Sequence, residues 1–380
     1  MKKTYFANID GLRFFAFLVV LVSHLSIFTG YGAKYYSPIR KLFLTHGDLG
    51  VTFFFTLSGF LITYLLLQER EQVGTVSLKH FYIRRALRIW PVYMVVIIAG
   101  FFIFPYLIDT PLAVSLLAPL SRLPAYVLFV GNIDLVYMGY ASVIIGVLWS
   151  LAVEEQFYLI WPYVFKKIKT STIPWVLGSV IVASFIYRFI HWENYEIIRY
   201  MTFSVFSDIA IGCLLAYLVF FKKGFVEFFE RLPRWVIVIN YILVFLYPVI
   251  RGVLSFLISG WFYHTMYALE SVIFCILFVG IIMEQCFAKN SLFKVGNSKT
   301  LTYLGKVSYG LYAYHMIALV LVLWFGRVFF GLALSYNSIA ILLNISVATF
   351  ILSLFFAHIS YTYMEKPVLK LKEKVGYLKK

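Results

Sequence analysis

The chain has 380 residues, of which 62% are hydrophobic and only 13% charged, at a mean hydropathy of +0.88. A soluble domain carries nearer a quarter charged residues, so this composition excludes an ordinary soluble enzyme. The net charge of +16 would suit nucleic acid on a soluble chain, but here the cations have first to be placed against a bilayer, and no nucleic-acid role is expected.

In chain order, apolar segments predict about ten transmembrane helices, near 12–29, 49–67, 88–108, 143–165, 173–191, 198–221, 235–251, 265–287, 307–325 and 338–360. The N-terminus lacks an A-x-A-type cleavage site, so Leu12 to Phe28 reads as a retained first span. The segment 109–142 is apolar but broken by Pro111, Arg122, Pro124 and Asp134. If it stays outside, 25 of the 33 Lys and Arg residues fall on inner segments, and both termini face the cytoplasm. Making it a full span would move the later basic loops outside. The expectation is therefore an all-α polytopic membrane helix bundle, a single domain over 1–380, in a bacterial inner (plasma) membrane. Cys213, Cys275 and Cys286 are scattered and odd in number, with neither a disulfide framework nor metal-ligand spacing.

Ionisable residues inside apolar helices are expensive and mark functional or paired sites. Arg13 and His24 stand eleven residues apart, which on a helix places them on one face, about 16 Å apart along the axis. That is half a bilayer core; a snorkelling arginine and a packed histidine would look the same. In "SLKHFYIRRALRIWPVY", His80, Arg84 and Arg88 repeat every fourth residue beside Arg85. Positive-inside anchoring explains one or two of these cations, whereas three arginines within little more than a turn also suit phosphate, which guanidinium forks bind bidentately. In "LWSLAVEEQFYLIWP", Ser150, Glu154 and Tyr158 form a polar stripe, and Glu155 points about 100° away. A structural ion pair is the plain alternative for Glu154. Asp208, with Ser204 and Gly212 on its face, is ambiguous, and Asp48 precedes the second span on the outside and reads as solvated unless the bundle mouth encloses it. In "VSYGLYAYHMIAL", Ser308, Tyr312 and His315 make a second one-sided stripe, read as a packing or substrate-pathway surface.

Taken in order, "IDGLRFFAFLVVLVSH", "GDLGVTFFFTLSGFLIT", "FYIRRALRIWPVY", "LWSLAVEEQFYLIWP", "LGKVSYGLYAYH" and "MEKPVLK" resemble the acyltransferase-3 family of membrane O-acyltransferases, of the O-antigen acetylase type. The resemblance runs over nearly the whole chain. It implies transfer of an acyl group, commonly acetyl from acetyl-CoA, to a hydroxyl of a carbohydrate or related envelope molecule. Arg13, His24, Glu154 and the Arg84/Arg85/Arg88 cluster match positions associated with function. Some relatives append a soluble esterase-like domain, which is not expected here.

On that resemblance, the inner arginines Arg84, Arg85 and Arg88 would hold the anionic nucleotide of cytosolic acyl-CoA. The pantetheine arm would reach through about half a bilayer toward His24. His24 would act as general base on the acceptor hydroxyl, and Glu154 would orient it or stabilise its imidazolium as a carboxylate does in a triad. A covalent acyl-enzyme at His24 is the other route. Tyr158, Ser308, Tyr312 and His315 would line the substrate pathway, and no metal is required. The rival class is a secondary transporter or glycan flippase using the same intramembrane His, Glu and Arg.

Overall fold

The computed structural model describes residues 6–30, 46–107, 117–257, 261–331 and 339–368, and every regular element among them is helical. The elements used below are α1 (Ala7–Gly30), α2 (Gly47–Val73), α3 (Leu78–Ile98), α4 (Leu123–Val127), α5 (Gly131–Met138), α6 (Leu148–Lys167) and α7 (Ile173–Ile190). They continue with α8 (Thr202–Phe221), α9 (Arg234–Leu257), α10 (Trp261–Phe287), α11 (Ser308–Phe330) and α12 (Ile339–Ser360). Among the described residues nine helices are long and apolar enough to cross a membrane. Each of the ten expected spans falls on a helix. The one at 235–251 lies on α9, whose apolar stretch Arg234–Tyr247 is shorter than the other nine. Residues 109–116, both termini, and Leu369 and Lys370 of the last motif lie outside the described residues.

The chain divides into two compact units, one of residues 1–23, 37–76 and 164–306, the other of 24–36, 77–163 and 307–380. The first unit has its core on α1, α2, α8 and α10, around Leu12, Phe53, Leu57, Phe60, Phe274 and Phe278. Helices α2 and α8 approach backbone to backbone. A methyl group on Gly59 would overlap the Ile209 carbonyl oxygen, and one on Gly212 the Thr56 carbonyl oxygen. In lipid, where the hydrophobic effect does little to hold helices together, such small residues permit the close packing that does.

The same unit buries an ion pair. Arg188 on α7 and Asp208 on α8 lie 3.7 Å apart, each 2% exposed at the side chain. Asp208 accepts from Ser271 (2.7 Å), Ser207 (2.9 Å) and Thr52 (3.2 Å), while Arg188 donates to Ser271 Oγ (2.6 Å) and the Ser204 carbonyl (3.0 Å). The surrounding hydroxyls give the buried carboxylate its hydrogen bonds, the condition under which such a pair persists. Elsewhere in this unit Arg70 donates to the carbonyls of Phe165 and Ile168 and stacks 4.1 Å from the centre of the Phe165 ring. It thus caps the last turn of α6, where a cation also complements the helix dipole.

In the second unit, α11 and α12 close on each other at Gly310, which faces Ala357. The buried Glu365 of the terminal motif accepts from Ser360 (3.1 Å), whose hydroxyl accepts from Tyr314 (3.0 Å). Residues 120–138, expected outside, fold as short helices α4 and α5 against the middles of α3 and α6. The Phe129 carbonyl, in a turn with φ +56, accepts from Gln156 Nε2 (2.7 Å), which also donates to Asn132 Oδ1 (2.8 Å). The Tyr126 carbonyl accepts from Tyr93 OH (2.8 Å), and the Phe129 and Tyr93 rings stack at 4.4 Å. Irregular backbone survives among membrane spans where protein groups satisfy its carbonyls, and Gln156 and Tyr93 do this. Residues 120–138 form a short helical hairpin, compatible with both of its ends emerging on one face.

Candidate active site

The second unit collects most of the polar residues singled out in the sequence. Helix α3 starts at Ser77, whose hydroxyl lies 2.7 Å from His80 Nδ1 and 3.5 Å from the His80 backbone N–H. This N-cap fixes where the helix begins and so where its arginines project. Arg84 and Arg88 are one turn apart, while Arg85 is turned about 100° from Arg84. The Arg85 guanidinium lies 4.9 Å from the centre of the Tyr158 ring and 5.8 Å from that of Phe81. Arg85 thus stacks on Tyr158 of α6.

From Tyr158 the polar groups continue along α6. Tyr158 OH donates to Glu154 Oε2 (3.2 Å), and Ser150 lies one turn further on. The Ser150 hydroxyl is 2.7 Å from Tyr312 OH, and both lie within reach of the Val147 carbonyl, at 3.4 and 3.2 Å. On α11, His315 Nδ1 is 2.6 Å from the Tyr312 carbonyl, and His315 Nε2 is 3.0 Å from His24 Nδ1. The contacts Arg85–Tyr158–Glu154 and Ser150–Tyr312–His315–His24, one turn of α6 apart, thus lie between the arginine helix and the expected base within one unit. Ser308, buried at the first position of α11, lies about 6 Å along the axis from Tyr312.

His24 Nδ1 lies 3.0 Å from an imidazole nitrogen, His315 Nε2. Glu154 is seen with Tyr158. Its neighbour Glu155 accepts from Trp90 Nε1 (3.2 Å), beside the Phe129 ring at 5.8 Å from Trp90. Arg13 belongs to the first unit, 3.9 Å from Asp10, on the continuous helix α1 that the spacing required. Among the described residues no group of three or more His, Cys, Asp and Glu side chains is arranged to hold a metal ion.

Two comparisons bear on this arrangement. A family profile for the Acyl_transf_3 acyltransferase domain matches residues 6–358. The chain belongs to the Acyl_transf_3 family. It is similar to a provisionally named O-acetyltransferase of Staphylococcus aureus (strain COL), 27% identical over 393 residues covering 97% of this chain and 58% of the relative. It is also similar to the O-acetyltransferase OatA of Staphylococcus aureus (strain NCTC 8325 / PS 47), 26% identical over 381 residues covering 96% of this chain and 57% of OatA. The chain thus spans less than two thirds of the length of these relatives. No solved structure matches it. As an Acyl_transf_3 member with nine candidate spans among the described residues, the chain is an integral, multi-pass membrane protein with an acyltransferase-family domain, which favours the acyltransferase reading over the transporter alternative.

The His24–His315 pair was not legible beforehand. The stripe Ser308, Tyr312, His315 pointed to a polar face on α11, but a stripe does not name the helix that it meets.

Proposed function

We propose that the protein transfers an acyl group, acetyl from cytosolic acetyl-CoA, to a hydroxyl of a cell-envelope carbohydrate, with His24 as the base. The observation that carries this reading is two sets of polar contacts one turn apart on α6, Arg85–Tyr158–Glu154 and Ser150–Tyr312–His315–His24. In this reading both termini and the basic segments face the cytoplasm, and the anionic end of the donor stays beside Arg84 and Arg88. The thioester arm lies along the Tyr158–Glu154–Ser150 stripe, which brings its carbonyl toward His24.

His24 Nε2 takes the acceptor's hydroxyl proton as the oxygen forms a bond to the acyl carbon. The carbon–sulfur bond breaks, and the same proton passes from His24 to the leaving thiolate. Atoms and charge balance: thioester plus alcohol gives ester plus thiol. Ser150 and Tyr312, hydrogen-bonded to each other and to the Val147 carbonyl, form the wall of the path toward His24. The role of Arg13 rests on the family resemblance.

Mass spectrometry of envelope glycans from cells with and without the gene tests the reading. A gain of one acetyl mass per modified unit, dependent on the gene, is expected. Identical glycan masses together with unchanged acetyl-CoA consumption would refute it.

A further inference from the structure

We infer that His315 is a positioning residue that sets the tautomer of His24 and thereby decides which ring nitrogen serves as base. The inference deepens, and rests on, the reading of His24 as the base. It starts from a carbonyl. The Tyr312 carbonyl lies 2.6 Å from His315 Nδ1, and a carbonyl oxygen only accepts, so His315 Nδ1 carries a hydrogen. His315 is 0% exposed, and burying a charge costs far more than burying a neutral ring, so the imidazole is neutral and keeps a lone pair on Nε2.

That lone pair faces His24 Nδ1 at 3.0 Å. A hydrogen bond between two ring nitrogens needs one hydrogen, and only His24 can supply it. His24 is therefore the Nδ1–H tautomer, with its own lone pair on Nε2, on the opposite side of the ring from Nδ1. The hydrogen bond at one ring nitrogen fixes the state of the other. Tyr312 is itself anchored, since its phenol lies 2.7 Å from Ser150 Oγ and donates to the Val147 carbonyl at 3.2 Å.

The pair also governs where the proton goes. When His24 Nε2 accepts a proton, Nδ1–H still points at the His315 lone pair, so the cation forms without breaking a hydrogen bond. The Tyr312 carbonyl beyond His315 Nδ1 cannot take a proton, which favours the proton's leaving by the nitrogen that received it, toward the leaving group.

The test is nitrogen NMR of the purified full-length protein labelled with ¹⁵N-histidine, with the His24 signals assigned by their loss in His24→Gln. Wild type should show His24 protonated at Nδ1. In His315→Phe, which accepts nothing, His24 should move to the Nε2–H form. Acyl transfer should then fall roughly 10²–10³-fold, within the range for a misdirected base, with the donor KM changed by less than about threefold. His315→Gln, whose carbonyl oxygen replaces the acceptor, should keep the Nδ1–H form and much of the turnover. If His315→Phe does not fold, His315→Met is read in the same way. An Nε2–H His24 in wild type, or an Nδ1–H His24 or unchanged turnover in His315→Phe, overturns the inference. The NMR signature does not depend on any transfer reaction: the expected tautomers in a protein that acylates nothing would refute the proposed function and leave the pairing intact.

Discussion

The Arg85 guanidinium lies 4.9 Å from the centre of the Tyr158 ring, whose hydroxyl donates to Glu154 at 3.2 Å. This relationship ties a cation of the arginine helix to the polar stripe on α6, from a position about 100° round the helix from Arg84. A cation over an aromatic face contributes about 0.5–2 kcal/mol, more as water is excluded.

This placement has a kinetic consequence. Arg84→Gln and Arg88→Gln should each raise the donor KM roughly ten- to a hundredfold, because a charge-assisted contact to phosphate contributes about 1.5–3 kcal/mol. Arg85→Gln should act mainly on kcat and thermal stability, through Tyr158 and Glu154. Steady-state kinetics with varied acetyl-CoA separate the two. An Arg85→Gln variant with a large donor KM effect and unchanged stability would return all three arginines to one site.

Gln156→Leu removes the donor to both the Phe129 carbonyl and Asn132 Oδ1. Each buried acceptor left unpaired costs about 1–3 kcal/mol. The thermal midpoint in detergent should drop, and a cysteine placed at Leu128 should gain reactivity toward a water-soluble thiol reagent as the hairpin tip loosens. Unchanged midpoint and labelling would mean that the hairpin is held elsewhere.

Arg188→Met should destabilise the protein by about 3–5 kcal/mol, since it strands Asp208 in the spans. Three hydroxyls already donate to Asp208, which favours the lower end. Arg188→Met combined with Asp208→Asn should be less destabilised than Arg188→Met alone. Additive losses in the double variant would show that the two residues are not coupled.

Gly59→Ala and Gly212→Ala should each weaken the α2–α8 packing, because the added methyl meets backbone that has no rotamer to change. Overpacking costs about 1–3 kcal/mol. Lowered thermal midpoints are expected for both, read by unfolding in detergent; wild-type midpoints would contradict the close approach.

Much of the fold could be read from periodic apolar runs, since a bilayer forces each into a helix of similar length. The segment 109–142 was harder to read, because Pro111, Pro124 and the charges Arg122 and Asp134 speak against a span, and short helices packed on α3 and α6 have no hydropathy signature of their own. Its charges turn out to bind each other: Arg122 Nε donates to Asp134 Oδ2 at 2.8 Å. Within the site, the stripes on α6 and α11 were visible as i, i+4 spacing. Which stripe meets which helix is a matter of tertiary packing, so Ser150 with Tyr312, and His24 with His315, emerged only in three dimensions. The same holds for Glu365, whose motif marked it without showing that it closes onto Ser360.

The central claim, that His24 is the base of an acyl transfer, is tested most directly by turnover of purified protein in lipid vesicles. The assay follows thiol release from acetyl-CoA and ester formation on an envelope-glycan extract, with donor binding measured separately. His24→Ala and His24→Gln should both lose about 10²–10⁴-fold in turnover while binding acetyl-CoA nearly as wild type. Near-normal turnover in both variants would contradict the account and leave His24 a packing residue.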